Sequence, residues 1–207
     1  YEDWIKFGVR FKNQNSALYR SMGLQYKKDR LDDSNPLLTF VETQQQQAIK
    51  LYEEKKREYE KLFRRIRIQN YLISNLTSIS GIGDIYAVTI YSKVIDASRF
   101  ADKYKYWSYC GLAGHEKESG GKSYGKRKPR YCRKLKSVYK TAAMAAIGGK
   151  NDIREYHDYL LGMGTAIPDA RNSVARYIAK VSYAMLKNKS EYIPYKWRAN
   201  REKEAIK

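Results

Sequence analysis

The sequence of 207 residues predicts a mainly α-helical protein in which a long antiparallel coiled-coil arm precedes a compact helical domain. Apolar residues recur at heptad spacing across residues 37–74, which is typical of a coiled-coil helix. After residue 75 they mark shorter amphipathic helices that glycines and turns separate. We therefore expect an arm over residues 1–74, a compact domain over 75–190 and a frayed polar tail over 191–207.

The arm is expected to contain two helices, one over about residues 2–28 and a longer one over 37–74. Between them, residues 32–36 combine turn formers with a helix-start signal, which favours an antiparallel hairpin. Gln45, Lys55 and Gln69 interrupt the apolar seam of the longer helix and weaken it. A plain helical hairpin and a dimerisation arm or spacer both fit this pattern. The seam positions are Leu38, Val41, Ala48, Tyr52, Tyr59, Leu62, Ile66 and Ile73.

Within the compact domain, the sequence predicts helices over about residues 84–95, 100–110, 131–147, 152–161 and 168–187. Pro168 and Asp169 suit the first turn of the last helix. The alanine-rich run over residues 141–146 suits a tightly packed, buried helix. Residues 111–130 are rich in Gly, Ser and Lys, which predicts a basic loop, with a β-hairpin as the other possibility.

Positive charge dominates the composition, and its distribution is uneven. Lys plus Arg number 41 against 22 Asp plus Glu, which gives a net charge of +19 and a pI of about 9.8. The net charge is +5 over residues 1–74, 0 over 75–116, +9 over 117–140 and +5 over 141–207. Such a field attracts polyanions, although charge alone does not separate DNA from RNA or from an acidic membrane surface.

Residues 117–140 form the most basic segment, with ten basic residues and one acidic residue, and Tyr124 and Tyr131 lie among them. Lys and Arg neutralise phosphates and tyrosines stack on bases, so this segment is a candidate nucleic-acid surface. A solvated charged face is the simpler alternative. The nucleic-acid contacts that we expect here are Lys122, Lys126, Arg127, Lys128, Arg130, Arg133 and Lys136.

The motif Ser80-Gly81-Ile82-Gly83, flanked by apolar residues, resembles a helix-hairpin-helix DNA-binding motif. We expect Gly81 and Gly83 to turn with positive φ and to let a phosphate approach free N–H groups at the start of the next helix. Such contacts hold the DNA backbone without reading its sequence. An ordinary glycine turn between core helices is the alternative.

The residue pattern argues against several functional classes. No run of about 18 apolar residues is present to span a bilayer, and no signal peptide opens the chain. Cys110 and Cys132 form no disulfide framework, which fits a reducing cytoplasm. Together with His115 and His157 they match no zinc-ligand spacing, so we expect no metal and no cofactor on this chain. Because the sequence begins with Tyr1 instead of Met, we expect a piece of a longer protein.

Three short motifs follow one another along the compact domain. They are Ile79-Ser80-Gly81-Ile82-Gly83-Asp84-Ile85-Tyr86-Ala87, then Arg99-Phe100 with Tyr109-Cys110-Gly111-Leu112-Ala113, then Glu118-Ser119-Gly120-Gly121-Lys122 with its basic run and Leu135-Lys136. Over about residues 76–187 their order and spacing resemble the C-terminal half of the Piv/MooV-type transposases, the insertion sequence 110 family associated with bridge RNAs. The long helices before them look like that family's coiled-coil insertion.

This resemblance implies a recombinase built from two parts. In that family an N-terminal RNase H-like domain binds Mg²⁺ through acidic residues, and the C-terminal part supplies a serine that attacks a DNA phosphate. Ser119 occupies the place of that serine, and Lys136 stands where the family usually has Arg. The partners implied are DNA and a guide RNA, and we expect homo-oligomers through the arm. Mg²⁺ is expected only through the acidic domain, which this sequence lacks, so we expect the chain to be inactive alone.

Two other functions stay open on the residues alone. A non-catalytic DNA- or RNA-binding module would use the same glycine hairpin and basic segment, and Ser119 would then be an ordinary loop serine. A structure-specific nuclease subunit would need its own acidic metal cluster, which the sequence does not show.

Overall fold

A computed structural model describes residues 1–26, 28–29, 35–127 and 130–198, and only the backbone of residues 115–119, 123, 124, 126 and 127. The predicted mainly α-helical class is confirmed. The chain divides into two compact units, residues 1–64 and 65–207. The described elements are α1 (Glu2–Ser21), α2 (Pro36–Gln69), α3 (Tyr71–Leu76), α4 (Asp84–Val94), a 3₁₀ turn (Ala97–Arg99), α5 (Lys103–Tyr109), β1 (His115–Ser119), β2 (Lys122–Arg127), α6 (Arg133–Ile147), α7 (Asp152–Gly162) and α8 (Ile167–Asn188).

In the first unit, α1 runs antiparallel to α2. The ring of Tyr1 packs on Phe63 with centroids 5.4 Å apart, and Lys12 Nζ lies 3.1 Å from the Glu53 carboxylate. Further along α1, the Tyr19 hydroxyl donates to the carboxylate of Glu42. Residue numbers therefore increase along α1 while those of their contacts decrease along α2, which is the antiparallel hairpin that the sequence predicts. A coiled-coil geometry stays a prediction.

Both arm helices end earlier than expected. The α1 helix stops at Ser21, because Gly23 adopts φ +74° and the Leu24 N–H turns back to the Tyr19 carbonyl at 2.9 Å. The second helix breaks at Asn70, which has extended φ and ψ of −129° and 107°. The Asn70 side chain accepts from the N–H groups of Leu72 and Ile73 and so starts α3. The single helix predicted over 37–74 is therefore two helices.

The predicted heptad seam holds for most of α2 and fails near its end. Tyr52 is buried and Tyr59 is half-buried, as the register requires, but Leu62 is 39% exposed. Phe63, one residue later, contacts Tyr1 instead. An α-helix with 3.6 residues per turn drifts from a repeat of 3.5, so the buried face moves to a neighbouring position after several turns.

The core of the second unit is built around α8, which packs against α3, α5, α6 and α7. The short predicted helices are all present, with ends that differ by a few residues. In the alanine-rich part of α6 only one face is buried, because Ala142, Ala143 and Ala146 face the core while Met144 is exposed. The predicted burial therefore holds for the face of α6 that contains these three alanines and does not hold for its outer face.

The second unit begins before the expected boundary at residue 75. Ile73 and Leu76 are fully buried in its core, and Ile66 packs against the same cluster. These apolar residues belong to the compact core, so the second unit starts at Arg65.

Residues 192–197, which follow α8, are held against the domain, and this corrects the expectation of a frayed tail for that stretch. Trp197 is buried, and its indole N–H donates to the Asp152 carbonyl oxygen at 3.2 Å. The Asp152 carboxylate accepts from the Tyr192 hydroxyl and, at 3.3 Å, from the Tyr195 N–H. Asp152 at the start of α7 therefore anchors residues 192–197 to the domain. Residues 199–207 of the predicted tail lie outside the described residues.

Candidate nucleic-acid interface

The basic Gly/Ser/Lys-rich segment forms an antiparallel hairpin of β1 and β2. Ser119 pairs with Lys122 across a two-residue turn in which Gly120 and Gly121 have φ of +57° and +74°. Positive φ at both central positions defines the type I′ turn that suits the twist of a hairpin, and glycine adopts it without strain. The β-hairpin that the sequence left open for this loop is therefore present.

The pairing of the two strands shifts by one residue along the hairpin. Glu118 pairs with Ser123, whereas Glu116 pairs with Lys126, so β2 contains one extra residue. Gly125 lies within this shift and has φ +87°. The shift is a β-bulge, which bends the strand and increases its twist locally.

A closed neck joins the hairpin to the compact domain. The Cys132 N–H donates to the Tyr109 carbonyl at 2.8 Å, which brings the end of α5 beside the start of α6. Gly111 has φ +65°, and the Tyr131 ring lies so close that a Cβ at Gly111 would be 2.5 Å from it. Lys136 Nζ lies 4.7 Å from the centroid of the Tyr131 ring. Sequence reasoning missed this neck, whose only signal was an isolated Gly-Leu pair.

The first turn of α6 carries basic residues where helices usually carry acids. Its N-cap, Cys132, makes no side-chain capping bond, and the first turn contains no acid. Arg133 is exposed and Lys136 is half-buried in this turn. Cations at a helix N-terminus oppose the helix dipole, whereas an anion there is favoured by both the dipole and the unpaired N–H groups. The start of α6 is therefore suited to a phosphate oxygen.

Most residues expected to contact nucleic acid lie on the hairpin or beside its neck. Ser119, Lys126 and Arg127 belong to the strands, and Lys122 is exposed beside the turn. Arg130 and Arg133 are exposed where the chain returns to the domain. Lys128 lies outside the described residues. The hairpin and the following segment up to α6 thus contain Ser119 and the described basic positions that the sequence predicts.

The glycine motif connects α3 to α4 and packs on α6. Gly81 has φ +89°, and a Cβ there would be 2.2 Å from the Ala142 carbonyl oxygen. Gly83 is the N-cap of α4 with an extended φ of −91° and ψ of −179°, so the expectation of positive φ is right for Gly81 and wrong for Gly83. Ile79 and Ile82 are buried beneath the turn. A helix-hairpin-helix role in DNA binding stays a prediction.

The N-terminus of α4 differs from that of α6 in charge. Asp84 occupies the first position of α4, and its carboxylate lies 3.3 Å from Arg67 Nη1. This carboxylate already complements the dipole of α4. Of these two helix starts, α6 is therefore the better suited to a phosphate.

The cysteines and histidines do not gather into a metal site in the described part of the chain. Within residues 1–26, 28–29, 35–127 and 130–198, no three His, Cys, Asp or Glu side chains are grouped to hold a metal. Burial raises the pKa of the Cys110 thiol to about 12, so it stays protonated at neutral pH. The side chain of His157 is buried, with Nδ1 3.3 Å from the Asp158 carboxylate.

In the part of the chain that the structure describes, no helix has the length and apolar character needed to cross a membrane.

The segment that contains this interface is similar to a transposase family. Residues 73–158 match the family model described as "Transposase IS116/IS110/IS902 family". A protein of Streptomyces clavuligerus, "Insertion element IS116 uncharacterized 44.8 kDa protein", is 28% identical over 120 residues. That alignment covers 58% of this chain and 30% of the relative. The matched family segment runs from α3 into α7 and includes the hairpin, its neck and α6.

We expect Gly81→Ala to destabilise the compact unit by about 2–4 kcal/mol, because it adds both backbone strain and a clash with Ala142. Gly83→Ala is the matched control, since its Cβ would meet nothing within 4 Å. Loss of a glycine N-cap costs at most about 1 kcal/mol. Urea unfolding of the two variants measures the difference. Equal stability of both would contradict the close packing of Gly81 on α6.

Proposed function

We propose that this chain supplies the DNA-binding and nucleophile-bearing part of an insertion-sequence transposase or recombinase, because residues 73–158 match the model of the IS116/IS110/IS902 transposase family. The observation that carries the proposal is the basic hairpin, whose neck joins it to an α6 N-terminus suited to phosphate. The alignment spans 30% of the relative, so the reaction of a whole transposase is part of the proposal.

DNA phosphates are proposed to bind along the hairpin and at the start of α6. Residues 117–140 have a net charge of +9, so each phosphate contact there releases condensed counterions. The exposed Arg130 and Arg133 flank the neck, where the α6 N–H groups add further donors. These contacts hold the backbone and carry no sequence information of their own. A guide RNA, if one takes part, presents the same phosphates to this surface.

Ser119 is proposed as the nucleophile. Its hydroxyl oxygen would form a bond to a DNA phosphorus, while a phosphorus–oxygen bond of the DNA backbone breaks and the departing deoxyribose oxygen takes up a proton. The turn beside Ser119 places Lys122 directly opposite it in the strand pairing, and a cation there would favour an approaching phosphate. A serine also needs a base or a metal for activation.

A non-catalytic nucleic-acid-binding module is the alternative. The same basic hairpin and α6 N-terminus would bind phosphates without any covalent step. Both functions therefore predict phosphate binding, and they differ only in whether Ser119 forms a covalent bond to DNA.

The arm is proposed to join copies of the chain. Leu37, Phe40, Leu51 and Leu62 are exposed on α2, and their spacing at about 100° per residue places them on one face of the helix. We call these four residues the α2 stripe. An apolar stripe of this length on a helix that already contacts α1 on an adjacent face is suited to a second copy of the same helix.

Replacing Lys122, Arg130 and Arg133 by Ala should weaken duplex DNA binding and lower its log–log salt slope by up to about 2.7, since each phosphate contact contributes about 0.9. The matched control removes the same charge from the exposed Lys150, Arg171 and Lys196, which lie away from the hairpin in the sequence. Fluorescence anisotropy at several salt concentrations measures both slopes. If the salt slope falls equally in both variants, the effect depends on net charge alone, and the hairpin does not contact the DNA.

Ser119→Ala should abolish a covalent protein–DNA adduct while DNA affinity is retained and stability changes by less than about 0.5 kcal/mol. Ser123→Ala is the control, because it removes a hydroxyl from the opposite strand of the same hairpin. The assay uses this chain fused to the acidic domain of a relative, or a full-length relative that carries this hairpin. The protein is incubated with Mg²⁺, cognate DNA and any guide RNA, and the adduct is detected after denaturation.

An adduct that persists in Ser119→Ala and disappears in Ser123→Ala would assign the nucleophile to Ser123. Tight binding without any adduct in the unaltered protein would establish the non-catalytic alternative.

Phe40→Glu together with Leu51→Glu should lower the oligomer number of the full chain, because two charges would then interrupt the α2 stripe. Val9→Glu serves as control, since Val9 is exposed on α1. Sedimentation equilibrium over a range of protein concentrations gives the mass of each. If the unaltered chain is a monomer at every concentration, the arm is an intramolecular hairpin only.

A further inference from the structure

A second basic surface lies where α5 packs beside α8. The Trp107 indole N–H donates to the Arg176 carbonyl at 2.9 Å, and Lys187 Nζ lies 3.4 Å from the Phe100 carbonyl oxygen just before α5. Lys180 lies between Arg176 and Lys187 at helical spacing, so α8 presents one line of cations along this contact. We call the surface formed by Lys103, Tyr104, Lys105, Trp107, Arg176 and Lys180 the α5–α8 band.

The fold assembles this charge from segments that are far apart in the sequence. Residues 75–116, which contain α5, have a net charge of 0. Asp102 precedes α5, and its carboxylate accepts from the N–H groups of Tyr104 and Lys105 at 2.7 and 2.8 Å. The packing of α5 on α8 brings Lys103 and Lys105 onto the same surface as Arg176 and Lys180, which the net charge of the separate segments does not show.

An aromatic pair stands within the band. Tyr104 and Trp107 pack edge to face with centroids 5.3 Å apart, and Lys103 Nζ lies 4.9 Å from the Tyr104 centroid. Trp107 is fixed by its hydrogen bond to α8, whereas Tyr104 is 58% exposed. The neighbours therefore hold the Tyr104 ring in place while much of its surface faces solvent.

We propose that the α5–α8 band binds single-stranded DNA, with phosphates against its cations and one unpaired base stacked on Tyr104. A cationic groove with an exposed aromatic ring is the general form of a single-strand site, since bases in a duplex are already stacked on one another. The inference rests on the proposed function, because strand exchange by a recombinase leaves DNA strands transiently unpaired. The hairpin then holds duplex backbone, and the band holds a displaced strand.

Tyr104→Ala tests the stacking directly in the full chain. The probe is a fluorescent oligothymidylate of about 20 nucleotides, longer than the roughly 4–16 nucleotides that such surfaces cover. Loss of the ring should weaken binding of this probe about 5-fold to 100-fold, and Tyr104→Phe should restore it. Because no charge is removed, the salt slope should stay unchanged in Tyr104→Ala, whereas Lys105→Ala should lower it by about 0.7.

Tyr71→Ala is the matched control, since Tyr71 is 57% exposed on α3 and lies outside the band. Equal affinity of Tyr104→Ala and the unaltered chain for the oligothymidylate would overturn the inference while duplex binding through the hairpin stands. Failure of the unaltered chain to bind either duplex or single strand would overturn the proposed function as well. Tighter, Tyr104-dependent binding of an oligouridylate of equal length would overturn the assignment to DNA.

Discussion

The neck between α5 and α6 holds the two ends of the hairpin together at its base. The Tyr131 ring covers Gly111, and the bond from the Cys132 N–H to the Tyr109 carbonyl holds the two chain ends together. A two-stranded hairpin is marginally stable by itself, so its attachment to a packed domain matters more than its own strand pairing. Any side chain at Gly111 would meet the Tyr131 ring, and the direction in which the hairpin projects would then change.

Repulsion between positive charges destabilises the same region unless an anion is bound there. Ten basic residues fall within residues 117–140, and α6 begins with cations that oppose its own dipole. Like charges at close spacing repel, and no acid in the first turn of α6 offsets them. A bound polyanion would relieve this repulsion and would be favoured by the dipole of α6, which explains how basic residues can be accommodated there. The contrast with α4, where Asp84 already pairs with Arg67, makes α6 the better candidate.

Much of the compact domain could be predicted from the sequence, because its short helices carry their own boundaries. Asn151 caps α7 by accepting from the N–H groups of Ile153 and Arg154, and Pro168 lies in the first turn of α8. The break at Asn70 was missed, since an amphipathic pattern continues across it and a cap is visible only once the backbone turns. The apolar periodicity likewise could not show where the buried face of α2 moves away from the heptad positions, as it does at Leu62.

The candidate site was predicted unevenly for a related reason. A contiguous run of Lys and Arg marks the hairpin directly, and its paired glycines fit a tight turn. The α5–α8 band and the neck depend on residues that meet only after folding, such as Trp107 with Arg176. For Gly81 the expected positive φ is confirmed, and its close approach to the Ala142 carbonyl adds a packing role that the sequence does not show, because the two residues meet only after folding.

If the hairpin and the N-terminus of α6 together bind nucleic-acid phosphates, their backbone amides should respond to DNA. Backbone amide NMR of the isotope-labelled chain, titrated with a short duplex at physiological salt, measures this response residue by residue. We expect the largest changes in chemical shift at residues 119–122 and 130–136, with the amides of Arg133 and Lys134 among them. Shifts confined to the Gly81–Gly83 turn or to the arm, with residues 130–136 unmoved, would contradict it.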